Sequence, residues 1–160
     1  GVTGNYFISI KHRNHLGVMT ASPVQLSANN TVVDFTIANG AFLYDIPGSV
    51  NYDGNEQITV GSVKALHAGN LNGDNQVGFK NGNSDLNKLQ IDVLLHPNNS
   101  TFDINFDQGF GYFDADMDLD GKVSFSASNS DINKIQLVIL LYPLNTSFDS
   151  EYDLLIEQLP

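Results

Sequence analysis

The amino-acid sequence predicts a mainly β N-terminal part, corresponding to part of a β-sandwich, followed by a small α-helical module with two loop–helix repeats. Short segments rich in β-branched and aromatic residues fill the first third of the chain, which is typical of strands. A longer pattern then occurs twice at a constant offset, which indicates two copies of one structural unit. Hydrophobic residues make up 41% of the 160 residues, enough for one or two small domains with a core.

Residues 1–60 form the predicted β part. The predicted strands are residues 6–10, 18–20, 24–26 and 32–37, with turn-forming residues at 27–30. Asn39 and Gly40 form a hairpin-type dipeptide, from which residues 41–44 can return as a further strand. So few short strands leave a sandwich incomplete, with one edge open. We therefore expect further strands upstream, and a chain that is the C-terminal part of a larger protein.

Residues 61–143 contain the repeat and form the predicted helical module. Residues 70–90 (NLNGDNQVGFKNGNSDLNKLQ) align without a gap with residues 116–136 (DMDLDGKVSFSASNSDINKIQ), at an offset of 46 residues. In each copy a polar loop leads to Asn-Ser-Asp, which offers a helix N-cap and an acid in the first turn. An apolar run with helical spacing follows, so each copy is predicted to be a loop and a helix.

The helical runs and the tail complete the predicted elements. The apolar residues at helical spacing are Leu86, Leu89 and Val93 in the first copy and Ile132, Ile135 and Ile139 in the second. Each helix is expected to end before a proline, Pro97 or Pro143, because the residue before proline disfavours helix. Residues 144–160 form a separate acidic tail, in which residues 152–156 are predicted as a short helix or a strand.

Both loops place oxygen-bearing side chains at the spacing of a calcium-binding loop. Ca²⁺ takes about six to eight oxygen ligands, and a tight loop supplies them from side chains at positions 1, 3 and 5 and a backbone carbonyl at position 7. The predicted ligands are Asn70, Asn72, Asp74 and the Gln76 carbonyl in the first loop, and Asp116, Asp118, Asp120 and the Lys122 carbonyl in the second. Gly121 at position 6, and Asn75 in the first loop, suit the sharp turn required there.

The closing ligand departs from the usual pattern. An EF-hand loop closes with a bidentate Glu at position 12, where this chain has Asn81 and Ala127. The next carboxylates follow four residues later, so Asp85 and Asp131 are predicted to close the two sites. The alternative is a solvated acidic turn without an ion. That alternative is weakened by the repetition, and by the mutual repulsion of three carboxylates with no Arg and a single Lys nearby in the sequence.

Two features together resemble a known family. The paired loops and helices resemble the type I repeats of dockerins. Residues 6–20 (YFISIKHRNHLGVMT), followed by Val33-Asp-Phe-Thr, look like a block in large secreted surface proteins of Bacteroidota. In those proteins the block ends a β-sandwich domain and leads into a dockerin-like pair. The resemblance implies upstream domains, two bound calcium ions, a secreted or bacterial cell-surface location and export by type 9 secretion.

Composition and missing motifs narrow the function. The net charge of −11 disfavours nucleic acid as a partner, and no apolar run is long enough for a transmembrane segment. The chain has no Cys, no phosphate-binding glycine motif and no nucleophile motif, so we expect it not to be an enzyme. His12 and His15 form H-x-x-H without a Glu base, a poor metallohydrolase signal. We interpret their segment as a loop hydrogen-bonded to the sandwich.

These observations predict a non-enzymatic calcium-binding module of a secreted cell-surface protein, with an adhesive role or a role as a structural spacer. Its expected partners are calcium, upstream domains and a protein or glycan surface. One alternative is a dockerin that docks a cohesin-like partner and tethers an upstream enzyme. Another is an accessory domain of a surface polysaccharide hydrolase. Upstream sequence would separate these functions, because repeated β-domains favour an adhesin and a catalytic motif favours a hydrolase.

Overall fold

A computed structural model of the protein describes residues 3–37, 43–49, 57–80, 84–152, 155–157 and 159. The strands in these residues are β1 (Gly4–Tyr6), β2 (Ser9–Ile10), β3 (Val18–Met19), β4 (Val24–Leu26), β5 (Gln57–Val60), β6 (Val63–Leu66), β7 (Gln76–Val77), β8 (Gly109–Phe110), β9 (Lys122–Val123) and β10 (Leu155–Ile156). The helices are α1 (Asp85–Leu94) and α2 (Asp131–Leu140). None of the described helices has the length and apolar character needed to cross a membrane.

The strands form separate antiparallel pairs, and this overturns the predicted fold class. The pairs are β1–β4, β2–β3, β5–β6, β7–β10 and β8–β9. Within the described ranges no pair gains a third strand, so the predicted partial β-sandwich has no sheet wide enough to form a layer. The predicted α-helical module is also wrong, because the two helices have ten residues each and four strands lie among them in residues 61–143.

The strand predicted at residues 32–37 is wrong for a local reason. The Asp34 carboxylate accepts hydrogen bonds from the backbone N–H of Thr36 (2.8 Å) and from its hydroxyl (2.6 Å). These bonds fold residues 35–37 into a turn, because a short polar side chain offers the backbone an alternative to a strand partner. The hairpin predicted at Asn39 and Gly40 lies outside the described residues, whereas Leu43 forms an isolated bridge with Thr20.

The predicted helix boundaries are confirmed. Ser84 and Ser130 are the N-caps, and each helix ends at a leucine shortly before its proline. The Ser84 side chain accepts a hydrogen bond from the Asn87 N–H at 3.4 Å, whereas the Ser130 hydroxyl makes no such bond in the described part of the chain. Four residues of the predicted apolar faces are fully buried: Leu89, Val93, Ile135 and Ile139.

One core joins both loops to the rest of the chain. Its buried members are Leu16, Leu71, Val77, Phe79, Leu89, Val93, Ala115, Met117, Val123, Ile135, Ile139, Tyr142 and Leu155. Leu16 comes from the N-terminal part and Leu155 from the tail, where the strand interpretation is confirmed for residues 155–156. A smaller cluster of Val18, Phe35 and Leu43 lies in the N-terminal part. The two candidate metal-binding loops are therefore anchored to one core, which contains residues of the N-terminal part, of the repeat region and of the tail.

Candidate metal centre

The second loop brings three carboxylates together. One oxygen each of Asp116, Asp118 and Asp120 lies within 4.8 Å of the other two, a grouping that can hold a metal ion. Asp116 is buried, whereas Asp118 and Asp120 are exposed. The site therefore has one buried carboxylate and two that face solvent. Like charges at this separation repel one another, and a cation between them offsets that repulsion.

The backbone of this loop curls around Asp116. The Asp116 carboxylate accepts hydrogen bonds from the N–H groups of Asp120 (3.1 Å) and Gly121 (3.0 Å). The Asp120 carboxylate accepts one from Lys122 N–H at 2.9 Å. Leu119 and Gly121 have φ values of 60° and 84°, so two residues of this turn adopt the left-handed region. These contacts fold residues 116–122 into one tight turn, on which the three carboxylates lie close together.

Two cations compensate part of this negative charge, and both lie too far away in the sequence for the loop pattern to predict them. Arg13 Nη2 lies 3.6 Å from Asp116 Oδ2, and Lys134 Nζ lies 3.5 Å from Asp118 Oδ2. The Arg13 guanidinium also stacks on the Tyr112 ring, with its carbon 3.8 Å from the ring centroid. Three carboxylates facing two cations leave one net negative charge, so the loop still favours an additional cation.

The first loop has the same plan with fewer charges. The Asn72 side chain both donates to the Asp74 carboxylate (2.9 Å) and accepts from the Asp74 N–H (3.0 Å). Asp74 in turn accepts from the Gln76 N–H at 3.0 Å. Asn70 is 6% exposed, and its carbonyl oxygen has no hydrogen-bond partner among the described residues. A buried acceptor without a donor is costly, and a cation in the loop would satisfy it.

Asp85 and Asp131 tie each loop to the helix that follows it. Asp85 accepts hydrogen bonds from the N–H groups of Leu71 (2.6 Å), Asn72 (3.2 Å) and Gly78 (2.7 Å). Asp131 accepts them from Met117 (2.7 Å) and Ser124 (2.8 Å). Both carboxylates are buried, and burial raises the pKa of Asp85 to about 7 and that of Asp131 to about 6, against the opposing effect of the N–H donors. Their role as closing ligands stays a prediction, and their role as loop anchors is visible.

The repeated contacts extend beyond the predicted repeat. The Asn99 side chain donates to the carbonyls of Val93 and Asp103, both at 2.8 Å. The Asn145 side chain donates to those of Ile139 and Asp149 at the same distances. The ends of both helices are thus fastened alike, and the first part of the tail corresponds to the segment after α1. The sequence also indicates this correspondence, because the alignment continues past the two prolines, with residues 98–103 (NNSTFD) over residues 144–149 (LNTSFD).

The segment containing H-x-x-H bonds to the loops, which corrects its interpretation as a contact to a sandwich. The buried Asn14 side chain donates to the Asp116 carbonyl at 2.7 Å, and the backbone carbonyl of Asn14 accepts from the Gly69 N–H at 2.8 Å. Burial lowers the pKa of His15 to about 4, with further lowering by His12, Arg13 and His67. The contacts of Arg13 and Asn14 with Asp116 make both residues part of the second loop's surroundings. More than a hundred residues separate them from Asp116 in the sequence.

Comparison with family models, with curated proteins and with solved structures found no match to this chain. Function is therefore inferred from the geometry of the loops and from the chemistry of their side chains.

Proposed function

We propose that the protein is a non-enzymatic, calcium-stabilised part of a secreted cell-surface protein, with an adhesive or spacer role. The observation that carries the proposal is the convergence of Asp116, Asp118 and Asp120 within 4.8 Å on a turn whose backbone is held by hydrogen bonds. In this proposal the ion closes the second loop and a second ion closes the first. The ions thereby stabilise the core to which both loops are attached.

The ligand chemistry favours calcium over softer metals. The side chains at positions 1, 3 and 5 of both loops offer carboxylate or amide oxygens, the hard donors that Ca²⁺ prefers, and no nitrogen or sulfur ligand. The Lys122 carbonyl and water supply further oxygens in this proposal. Arg13 and Lys134 reduce the negative charge, and weaker calcium sites with dissociation constants of about 0.1–1 mM occur in extracellular modules. This chemistry supports the proposed location outside the cell.

The first loop is proposed as the weaker of the two sites. Its side-chain ligands are two amides and one carboxylate, and calcium affinity rises with ligand charge. The buried, unpartnered carbonyl oxygen of Asn70 supports an ion there, because coordination would satisfy it. Asp74 is exposed and already bonded to Asn72, so calcium has to displace or share that contact.

Thermal unfolding in calcium and in chelator tests the proposal. Calcium at a hundredfold excess over its dissociation constant stabilises the folded state by about 2.7 kcal/mol, so the melting temperature should rise clearly in calcium. Asp118→Asn removes a ligand that is exposed and has one described cation partner, and should abolish most of this rise. Asp107→Asn makes the same chemical change at an exposed site outside the loop and should leave the rise intact.

Equal melting temperatures in calcium and in chelator would contradict the proposal. So would a rise that Asp118→Asn and Asp107→Asn reduce equally, because calcium would then act through general charge screening. Isothermal titration calorimetry of the same variants supplies the number of ions bound, and two are expected for the unaltered chain.

A further inference from the structure

The side chains of His12, Asn14 and His15 converge on one point, and we call these three residues the histidine triangle. His12 Nδ1 lies 2.9 Å from His15 Nδ1. Asn14 Oδ1 lies 3.1 Å from His12 Nδ1 and 2.7 Å from His15 Nδ1. The three atoms therefore form a nearly equilateral triangle in which each atom faces the other two.

Hydrogen bonding alone cannot satisfy this triangle. The Asn14 carbonyl oxygen only accepts, so a ring nitrogen bonds to it only by carrying a proton. If both Nδ1 atoms carry protons, the two N–H groups oppose each other across 2.9 Å. If one of them is bare, it faces the Asn14 oxygen as a second acceptor. No placement of protons satisfies all three contacts, whereas one cation accepts a lone pair from each atom.

Asn14 is fixed as the oxygen-bearing corner. Its side-chain nitrogen donates to the Asp116 carbonyl at 2.7 Å, and a flipped amide would set two carbonyl oxygens against each other there. Asn14 is fully buried, so the oxygen is held toward the rings. His12 is exposed, and both histidines line two adjoining cavities of about 290 Å³ and 350 Å³. The triangle thus has one rigid corner and free space on its outer side for further ligands.

We propose that the histidine triangle binds a first-row divalent transition metal ion through His12 Nδ1, His15 Nδ1 and Asn14 Oδ1. Imidazole nitrogen suits nickel, copper and zinc, and is a poor ligand for calcium. A tetrahedral ion with ligands at about 2.1 Å separates neighbouring ligand atoms by about 3.4 Å, and right-angled ligands by about 3.0 Å. The observed separations of 2.7, 2.9 and 3.1 Å are nearer to those of three right-angled ligands, which occupy one face of an octahedron. Among octahedral first-row ions the general order of affinity favours Ni²⁺.

This site uses a different chemistry from the calcium loops, although Asn70 and Asn75 of the first loop line one of its two cavities and Leu119 of the second loop lines the other. It also differs from a catalytic zinc site of the H-E-x-x-H type, because its histidines act through Nδ1, the third ligand is an amide and the segment is not helical. The contact from Asn14 to the Asp116 carbonyl is the physical link between the triangle and the second loop.

Calorimetric titration of Ni²⁺ into residues 1–160 tests the proposal, with the chain free of any affinity tag and saturated with calcium. One equivalent should bind near neutral pH. His12→Gln removes an exposed ligand without changing the core, and should weaken Ni²⁺ binding by about tenfold or more. Lys11→Arg is the matched control, because residue 11 lines the same two cavities, Arg keeps a cation beside the buried Glu157, and neither side chain offers a ligand to the triangle. Its affinity for Ni²⁺ should stay within about twofold of the unaltered chain.

Nitrogen-15 spectra of the imidazole rings with added Zn²⁺ give a second readout. Coordination through Nδ1 leaves the proton on Nε2 in both rings, so His12 and His15 should shift to that tautomer together. Equal Ni²⁺ affinity in His12→Gln and the unaltered chain would overturn the proposal. So would binding lost in Lys11→Arg and kept in His12→Gln, because the Ni²⁺ ligands would then lie outside the triangle.

Discussion

At the scale of single residues, position 6 of each loop depends on left-handed backbone. Gly121 has φ 84° in the second loop, and Asn75 has φ 70° at the equivalent place in the first. A Cβ built on Gly121 meets nothing within 4 Å, so space does not limit this position. The choice of residue is therefore a matter of backbone conformation, in which glycine is unstrained and Asn is tolerated better than most residues.

Gly121→Ala should accordingly lower the free energy of unfolding by about 1–2 kcal/mol, the cost of left-handed backbone for an ordinary residue. Gly121→Asn is the matched control, because it adds the same Cβ but copies the residue that the first loop uses. It should cost less than half as much in urea unfolding. Equal losses for the two variants would show that contacts, and not backbone conformation, select glycine here.

At the scale of elements, each helix is joined to its loop by the acid in its first turn. Asp131 is the first residue of α2, and its two carboxylate oxygens accept N–H groups from opposite ends of the loop, those of Met117 and Ser124. The same residue therefore fixes the start of the helix and the closure of the loop. Local capping preferences favour an acid there, and the bonds to Met117 and Ser124 tie that acid to the loop.

Asp131→Asn should lower the free energy of unfolding by about 1–3 kcal/mol even in chelator, because an amide nitrogen would face one of the two N–H donors. Asp107→Asn is the control, because Asp107 is exposed and its carboxylate accepts a hydrogen bond from the adjacent Gln108. If Asp131 is also the closing ligand, the variant loses calcium affinity in addition. An unchanged stability in chelator would contradict the anchoring role.

The free energy of unfolding of Asp131→Asn should also differ from that of the unaltered chain in its dependence on pH, measured in chelator. Burial raises the pKa of Asp131 from its ordinary value of 3.8 to about 6 in the folded state. The folded chain then binds more protons than the unfolded chain between these values, so this residue's contribution to stability falls as pH rises from about 4 to 6. Asp131→Asn should remove that part of the slope. Its stability curve and that of the unaltered chain should therefore converge as pH rises through this window.

At the scale of the whole molecule, both loops share one core, so an ion at either should stabilise the entire chain. Leu71 lies in the first loop, Met117 in the second, and both belong to the same buried cluster. We expect the second loop to bind calcium more tightly, because it carries three clustered carboxylates and the first carries one. In calorimetry, Asp118→Ala should remove the stronger binding phase and Asp74→Ala the weaker one. Loss of the stronger phase with Asp74→Ala would reverse this order.

Several elements could be predicted from the sequence because their causes are local. The helix starts at Ser84 and Ser130 follow from capping residues and apolar spacing a few positions away. The clustering of Asp116, Asp118 and Asp120 follows from their spacing in one short turn. Strands β3 and β4 likewise lie where short apolar segments predict them. Each of these features depends on residues that are neighbours in the chain.

The tertiary structure alone decided how these elements are arranged. No local pattern predicts that Arg13 reaches Asp116, that Asn14 bonds to the carbonyl of the same residue, or that β10 pairs with β7. The predicted sandwich failed for the same reason, since a short β-type segment does not specify which strand pairs with it. Contacts between distant residues form only when the core brings them together, because strand pairing and charge compensation depend on proximity in space. That proximity is set by the packing of the whole chain and not by any short segment of the sequence.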